Sequence, residues 1–231
     1  MKFGVLVFPG SNCDYDCFHL AAGVLGAQAK MIWHEDPVLD VDAVMVPGGF
    51  SYGDYLRCGA IAKFSRVMES LQNFSGQGKP VIGICNGFQI LTESGLLPGT
   101  LLRNRDMKFI CKDVYLRVES NHSIFSRGLT SGEVLRIPIA HGEGNYFVDE
   151  TTLKTMQSNG QIIFRYCSQT GERGGEFNPN GALDDIAGVS NAAGNVLGMM
   201  PHPERCAEAI LGNRDGLKLF QSLVQNSPVL A

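Results

Sequence analysis

Residues 80–91, Pro80-Val81-Ile82-Gly83-Ile84-Cys85-Asn86-Gly87-Phe88-Gln89-Ile90-Leu91, set one thiol between two glycines, with an apolar run before it and a helix-like run after it. Strand, sharp turn and helix in that order have the logic of a nucleophile elbow. The strained turn lifts the side chain clear of the sheet, and the glycines two residues either side let strand and helix approach closely. A thiol at a helix start also meets the positive end of the helix dipole, which favours the nucleophilic thiolate. Taken alone the motif fits a buried packing cysteine equally well, so its meaning depends on what else converges on it.

Outward from this stretch the chain alternates. Short apolar runs at Phe3–Phe8, Ala29–Ile32, Ala43–Val46 and Val81–Ile84 are separated by segments with helical apolar spacing, such as Cys17–Leu25 and Ile61–Leu71. That order predicts an α/β protein with an open, mostly parallel sheet covered by helices on both faces. Between about Arg103 and Tyr166 the texture changes. Val114–Val118, Val134–Ile137 and Ile162–Tyr166 read as strands without long helices between them, an antiparallel addition to the sheet. A glycine- and asparagine-rich loop at Gly171–Gly181 follows, then strands at Ile186–Val189 and Val196–Met200, and a closing helix over Cys206–Val224. With no linker, repeat or low-complexity tract, residues 1–231 read as one domain.

Composition removes several function classes. A net charge of -4 and the absence of any lysine or arginine run argue against nucleic acid as a partner. No apolar segment approaches the roughly 20 residues a membrane span needs, and Pro9, Gly10, Asn12 and Asp14 interrupt the first apolar run too early for a signal peptide. Seven cysteines without CxxC pairs suit a reducing cytoplasm and give neither a disulfide framework nor a structural metal site.

In open α/β sheets ligands bind beyond the carboxyl ends of the strands, and two further strand ends carry chemistry there. After the last apolar strand comes Met200-Pro201-His202-Pro203-Glu204. Proline at 203 biases His202 toward an extended conformation, so His202 and Glu204 share a face. A carboxylate beside an imidazole fixes its tautomer and leaves the other ring nitrogen to take a thiol proton, which makes Cys85, His202 and Glu204 a nucleophile, base and orienter. After the strand Val44–Val46 stands Pro47-Gly48-Gly49, whose backbone N–H at Gly49, together with that of Asn86, would make a two-donor oxyanion hole. No phosphate-binding glycine motif of the GxxxxGK[ST] or GxGxxG kind occurs.

The elbow cysteine, the double glycine and the late His-Pro-Glu resemble the class I (triad) glutamine amidotransferase family. Within it, the blocks Pro9–Asp14, Gly48–Arg57, Cys85–Gln89, Ala140–Gly144 and Gly198–Arg205 are similar to the glutaminase subunits that supply ammonia for amidation of formylglycinamide ribonucleotide in purine synthesis. The likeness runs over essentially the whole chain. It implies a flavodoxin-like sheet and hydrolysis of L-glutamine to glutamate and ammonia through a Cys85 thioester. It also implies delivery of ammonia to a large synthetase subunit, with a small bridging subunit in many bacteria. No cofactor or metal is implied for this chain, whereas ATP and magnesium are expected on the synthetase. The family pattern further assigns Gln89, one helical turn after Cys85, to substrate contact, and places His141 and Gly142 in substrate binding.

The remaining candidates read as background. Cys13 lacks a glycine-flanked elbow and reads as structural, and Cys17, Cys58, Cys111, Cys167 and Cys206 as packing residues. Arg103 and Arg105 read as exposed loop residues outside the site, and His19, His34 and His122 as structural or solvated. Two other functions share the same residues: a stand-alone thiol hydrolase of γ-glutamyl compounds, and a catalytically silent scaffold.

Overall fold

The computed structural model describes residues 1–225. In chain order its strands are β1 (Lys2–Val7), β2 (Gln28–Trp33), β3 (Ala43–Val46), β4 (Val81–Ile84), β5 (Thr100–Leu102), β6 (Ile110–Val118), β7 (Val134–His141), β8 (Asn145–Phe147), β9 (Ile162–Cys167), β10 (Ile186–Ser190) and β11 (Val196–Met199). The α-helices are α1 (Asp14–His19), α2 (Arg66–Gly76), α3 (Asn86–Glu93), α4 (Glu150–Ser158) and α5 (Leu217–Gln225).

Nine strands form one sheet in the order β2-β1-β3-β4-β11-β10-β9-β6-β7, and β5 pairs with β8 apart from it. The first five run parallel, as the fully buried tetrads Ala43–Val46 and Val81–Ile84 require for strands covered on both faces. From β11 onward every pairing is antiparallel, which confirms the change of texture after Arg103. Two successive reversals bring β9 and then β7 back to the direction of β4. His141, the last residue of β7, therefore ends at the same edge of the sheet as Cys85.

Two expected elements differ in extent, and one helix is additional. The helix expected over Cys206–Val224 forms only from Leu217: Gly212 adopts a left-handed φ of 95°, and a Cβ on Gly216 would run into the Pro203 backbone, so the chain turns twice before it can coil. The segment Ile61–Leu71 breaks at Ser65, whose extended backbone (φ -65°, ψ 146°) separates a short turn at Ala62–Phe64 from α2. The antiparallel region also holds α4, nine residues of mostly polar Glu-Thr-Thr character. Its start is fixed by the Asp149 carboxylate, which accepts from Thr152 N–H at 3.0 Å.

Candidate active site

The elbow forms as the glycines predict. Cys85 sits at φ 51°, ψ -107°, a strained conformation for a side-chain-bearing residue, immediately before α3. Its N–H is held by Met199 O at 2.8 Å. A Cβ on Gly83 would fall 2.7 Å from Gly87 O, and one on Gly87 would run into the Val46 carbonyl. Both glycines are therefore required for α3 to lie against β3 and β4 with Cys85 at the apex.

His202 and Glu204 meet as expected. His202 Nδ1 lies 2.6 Å from Glu204 Oε1, and the two residues are 2% and 5% exposed. Their turn is anchored to the edge strand by His202 N–H donating to Pro138 O at 2.8 Å. Burial opposes charge on the imidazole, yet the Glu204 carboxylate and the sulfurs of Cys85 and Cys13 outweigh it and raise His202 well above its ordinary value. The Cys85 thiol is oriented toward Ala140 O at 3.6 Å, and His202 Nε2 has no hydrogen-bond partner among the described residues.

Gly49 adopts φ 147°, and a Cβ there would lie 2.6 Å from Asn12 N and 2.8 Å from Gly10 O, so only glycine fits. The bonds between this loop and residues 10–12 are made by Phe50 N–H to Gly10 O (2.9 Å) and Asn12 N–H to Gly48 O (3.2 Å), and the Gly49 N–H takes no part in them. Asn86 N–H, at the first position of α3, has no carbonyl one turn back to bond. The Asn86 side chain joins the two loops, accepting from Ser51 N–H at 3.1 Å and donating to Gln89 Oε1 at 2.8 Å.

Cys85 opens into a cavity of about 280 Å³ whose walls include Gly49, Gln89, His141 and Gly142. Four of the five substrate or oxyanion candidates line it, Asn86 being the exception, and two of the side chains are already engaged. Gln89 donates to Glu143 O at 2.6 Å, so one face of its amide belongs to the wall. His141 is pinned between two asparagines, with Nδ1 3.1 Å from Asn104 Oδ1 and Nε2 3.5 Å from Asn180 Nδ2. Burial, reinforced by nearby His202, lowers it to about 4, so it stays neutral and cannot serve as a charged group at neutral pH.

Several residues in and around the cavity escaped the sequence reading. Arg103, set aside there as an exposed loop residue, lines the cavity with Asp54, Glu143 and Cys58, and its Nε lies 3.5 Å from Glu143 Oε1. Burial pushes the Asp54 carboxyl up, with Glu143 adding to the effect and a hydrogen bond from Cys58 opposing it. Asn104 holds the His141 loop, donating to His141 O at 2.9 Å and accepting from Gly144 N–H at 3.0 Å. Its neighbour Asn180, from the loop expected only to be irregular, donates to Gly144 O at 2.8 Å. Cys13, expected to be structural, has its sulfur beside the His202–Glu204 pair. In the sequence the hint was the bare placement of Asn104 between two arginines and of Cys13 after the first strand.

Comparison with known proteins gives the family. The CobB/CobQ-like glutamine amidotransferase domain family matches residues 1–225. The phosphoribosylformylglycinamidine synthase subunit PurQ of Trichormus variabilis is 55% identical over 232 residues, covering 100% of both chains. A chain in the structure of PurLQS from Thermotoga maritima superposes with a TM-score of 0.85 at 42% identity over 97% of each chain. The glutaminase domain of Trypanosoma brucei CTPS, bound to acivicin, superposes at 0.60 with 13% identity over 98% of this chain and 95% of that one, a likeness of fold alone. The chain belongs to the CobB/CobQ-like glutamine amidotransferase family and, within it, to the PurQ-type glutaminase subunits of phosphoribosylformylglycinamidine synthase.

Proposed function

We propose that the chain opens L-glutamine at Cys85 and hands the ammonia to a PurL-type synthetase, which uses it with ATP to convert formylglycinamide ribonucleotide to formylglycinamidine ribonucleotide in purine synthesis. The observation that carries the chemistry is the buried 2.6 Å His202–Glu204 pair beside an elbow thiol that opens into a cavity. Glu204 holds Nδ1, which directs Nε2 at the thiol. His202 holds the Cys85 proton as sulfur adds to the side-chain amide carbon, then passes it to the departing nitrogen so that ammonia leaves and a γ-glutamyl thioester remains. Water deprotonated by the same imidazole adds to the thioester, and glutamate leaves as the thiol is regenerated. Gly49 and Asn86 N–H groups would stabilise both tetrahedral oxyanions.

The cavity's charged wall fits a free amino acid. Asp54 and Glu143 would receive the α-ammonium group, and Arg103 the α-carboxylate. The neutral His141, with Gly142, would shape the wall between head group and thiol. ATP and its magnesium ion would bind the synthetase, with a small subunit bridging the two proteins, and residues 1–231 would act as one unit in the cytoplasm. No helix among the described residues is long and apolar enough to cross a membrane. The test is ammonia release from glutamine, with and without the synthetase, alongside labelling of Cys85 by a diazoketone analogue of glutamine. Turnover that rises on complex formation and a single label on Cys85 are expected. Cleavage of γ-glutamyl peptides in preference to glutamine would favour a stand-alone hydrolase, and absence of both label and turnover a silent scaffold.

A further inference from the structure

We propose that Cys13 is a positioning residue of this site, holding the His202 imidazole in place between Glu204 and Cys85; the assignment rests on the glutaminase reading above. The convergence is visible at Gly48. A Cβ there would lie 2.8 Å from His202 Cε1, 3.0 Å from Cys13 Sγ and 3.4 Å from Cys85 Cβ, so base, nucleophile and second sulfur border one small volume. The Cys13 sulfur, a ring nitrogen of His202 and a carboxylate oxygen of Glu204 all lie within 4.8 Å of one another.

Cys13 is itself fixed from two directions. Its N–H donates to Gly48 O at 3.1 Å, and its sulfur accepts from Arg205 Nη2 at 3.1 Å. Arg205 also lies 3.2 Å, through Nε, from Asp16 Oδ2 on α1. The turn that carries His202 and Glu204 is therefore tied to the loop after β1 by the residue that follows Glu204. That guanidinium against the sulfur also disfavours a cation among Cys13, His202 and Glu204.

The physical need is plain. One hydrogen bond at Nδ1 fixes a point on the ring but leaves it free to swing, and a misplacement of about 1 Å at a reacting group can cost about 10²-fold in rate. The Cys13 sulfur, anchored by Arg205 and within 4.8 Å of a ring nitrogen, removes that freedom as a polar partner that an apolar side chain of similar volume does not replace. The charged and titratable groups facing His202 are Glu204 on its own turn, Cys85 at the elbow, Cys13 before α1 and His141 at the end of β7. Glu204, Cys85 and Cys13 raise His202 against burial, whereas His141 and His202 oppose each other's protonation. Loss of the Cys13 sulfur therefore moves the His202-linked limb of the pH–rate profile to lower pH.

The experiment uses the complex reconstituted with the PurL-type synthetase and compares wild type with Cys13→Ala, Cys13→Val and Cys13→Ser. Alanine removes both volume and acceptor, valine keeps the volume, and serine keeps an acceptor. Expected is a fall of about tenfold in kcat for glutamine with Ala and Val, KM within about twofold, and the His202-linked limb displaced to lower pH. Serine recovers most of kcat and the wild-type profile. Valine guards against an alanine variant that does not fold. A Cys13→Val protein with a lowered melting temperature but wild-type kcat and pH profile makes Cys13 a packing residue and overturns the assignment alone. A wild-type complex that hydrolyses no glutamine overturns the glutaminase reading and this inference with it.

Discussion

His202 Nδ1 and Glu204 Oε1, on two buried residues, stand 2.6 Å apart, and this contact leaves Nε2 as the ring nitrogen free for Cys85. With Nδ1 committed to the carboxylate, the free Nε2 is the only position from which the imidazole can accept a thiol proton.

Replacing Glu204 by Gln keeps the shape of this contact but removes the charge that raises His202. The expected result is a fall in kcat of about 10²–10⁴ with KM for glutamine little changed. The His202-linked limb moves to lower pH, because the imidazolium has lost its strongest support. A steady-state pH series on the variant complex checks both; a change confined to KM contradicts the orienting role.

Gly49→Ala tests the oxyanion loop. Its φ of 147° and the 2.6 Å approach to Asn12 N force any side chain to displace the backbone. If the Gly49 N–H is an oxyanion donor, kcat falls by about 10²–10³, the range for removing one such donor. Circular dichroism and the melting temperature separate this from unfolding, and an intact fold with unchanged kcat removes Gly49 from the hole.

The head-group assignment is read from substrate preference. Wild type is expected to favour glutamine over glutaramate, which lacks the α-amino group, and Asp54→Asn or Glu143→Gln to shrink that preference by at least about tenfold, the equivalent of 1.4 kcal/mol. Arg103→Met is expected to do the same for glutamine against its α-carboxamide. Equal losses on each member of a pair would show that these residues shape the cavity without reading the substrate's charges.

His141 gives a pH dependence of stability whose sign follows from its depressed value. The folded state resists protonation down to about 4, while the unfolded chain takes a proton near 6.5, so stability falls as pH drops through that window, by up to about 3 kcal/mol. His202 behaves oppositely: raised in the folded state, its contribution is complete below about 6.5 and is lost as pH rises through its folded value. Chemical denaturation of wild type and His141→Gln between pH 7 and 4, about the span of the two values, isolates the first effect. The variant's curve is expected to be flatter, and parallel curves would contradict a neutral buried His141.

What the sequence made legible was local. Cys85 between Gly83 and Gly87, and His202 two residues before Glu204, are short-range patterns whose geometry is set by backbone sterics within a few residues. The parallel core was legible for the same reason, as continuous apolar tetrads. Arg103, Asn104 and Cys13 were not, because their roles arise from contacts with residues 141–144 and 202–205, which only the end of β7 and the turn after β11 bring to them. The closing helix was overextended because apolar spacing through Ala209–Leu211 mimics a helical stripe that Gly212 and Gly216 interrupt.

The measurement that reaches the central claim most directly is Cys85→Ala in the complex with the synthetase, assayed with glutamine and with ammonia as nitrogen donors. Glutamine-dependent synthesis is expected to disappear while ammonia-dependent synthesis stays near the wild-type rate, because the thiol opens glutamine and takes no part in the later step. Retention of glutamine-dependent synthesis, or loss of both activities, would contradict the account.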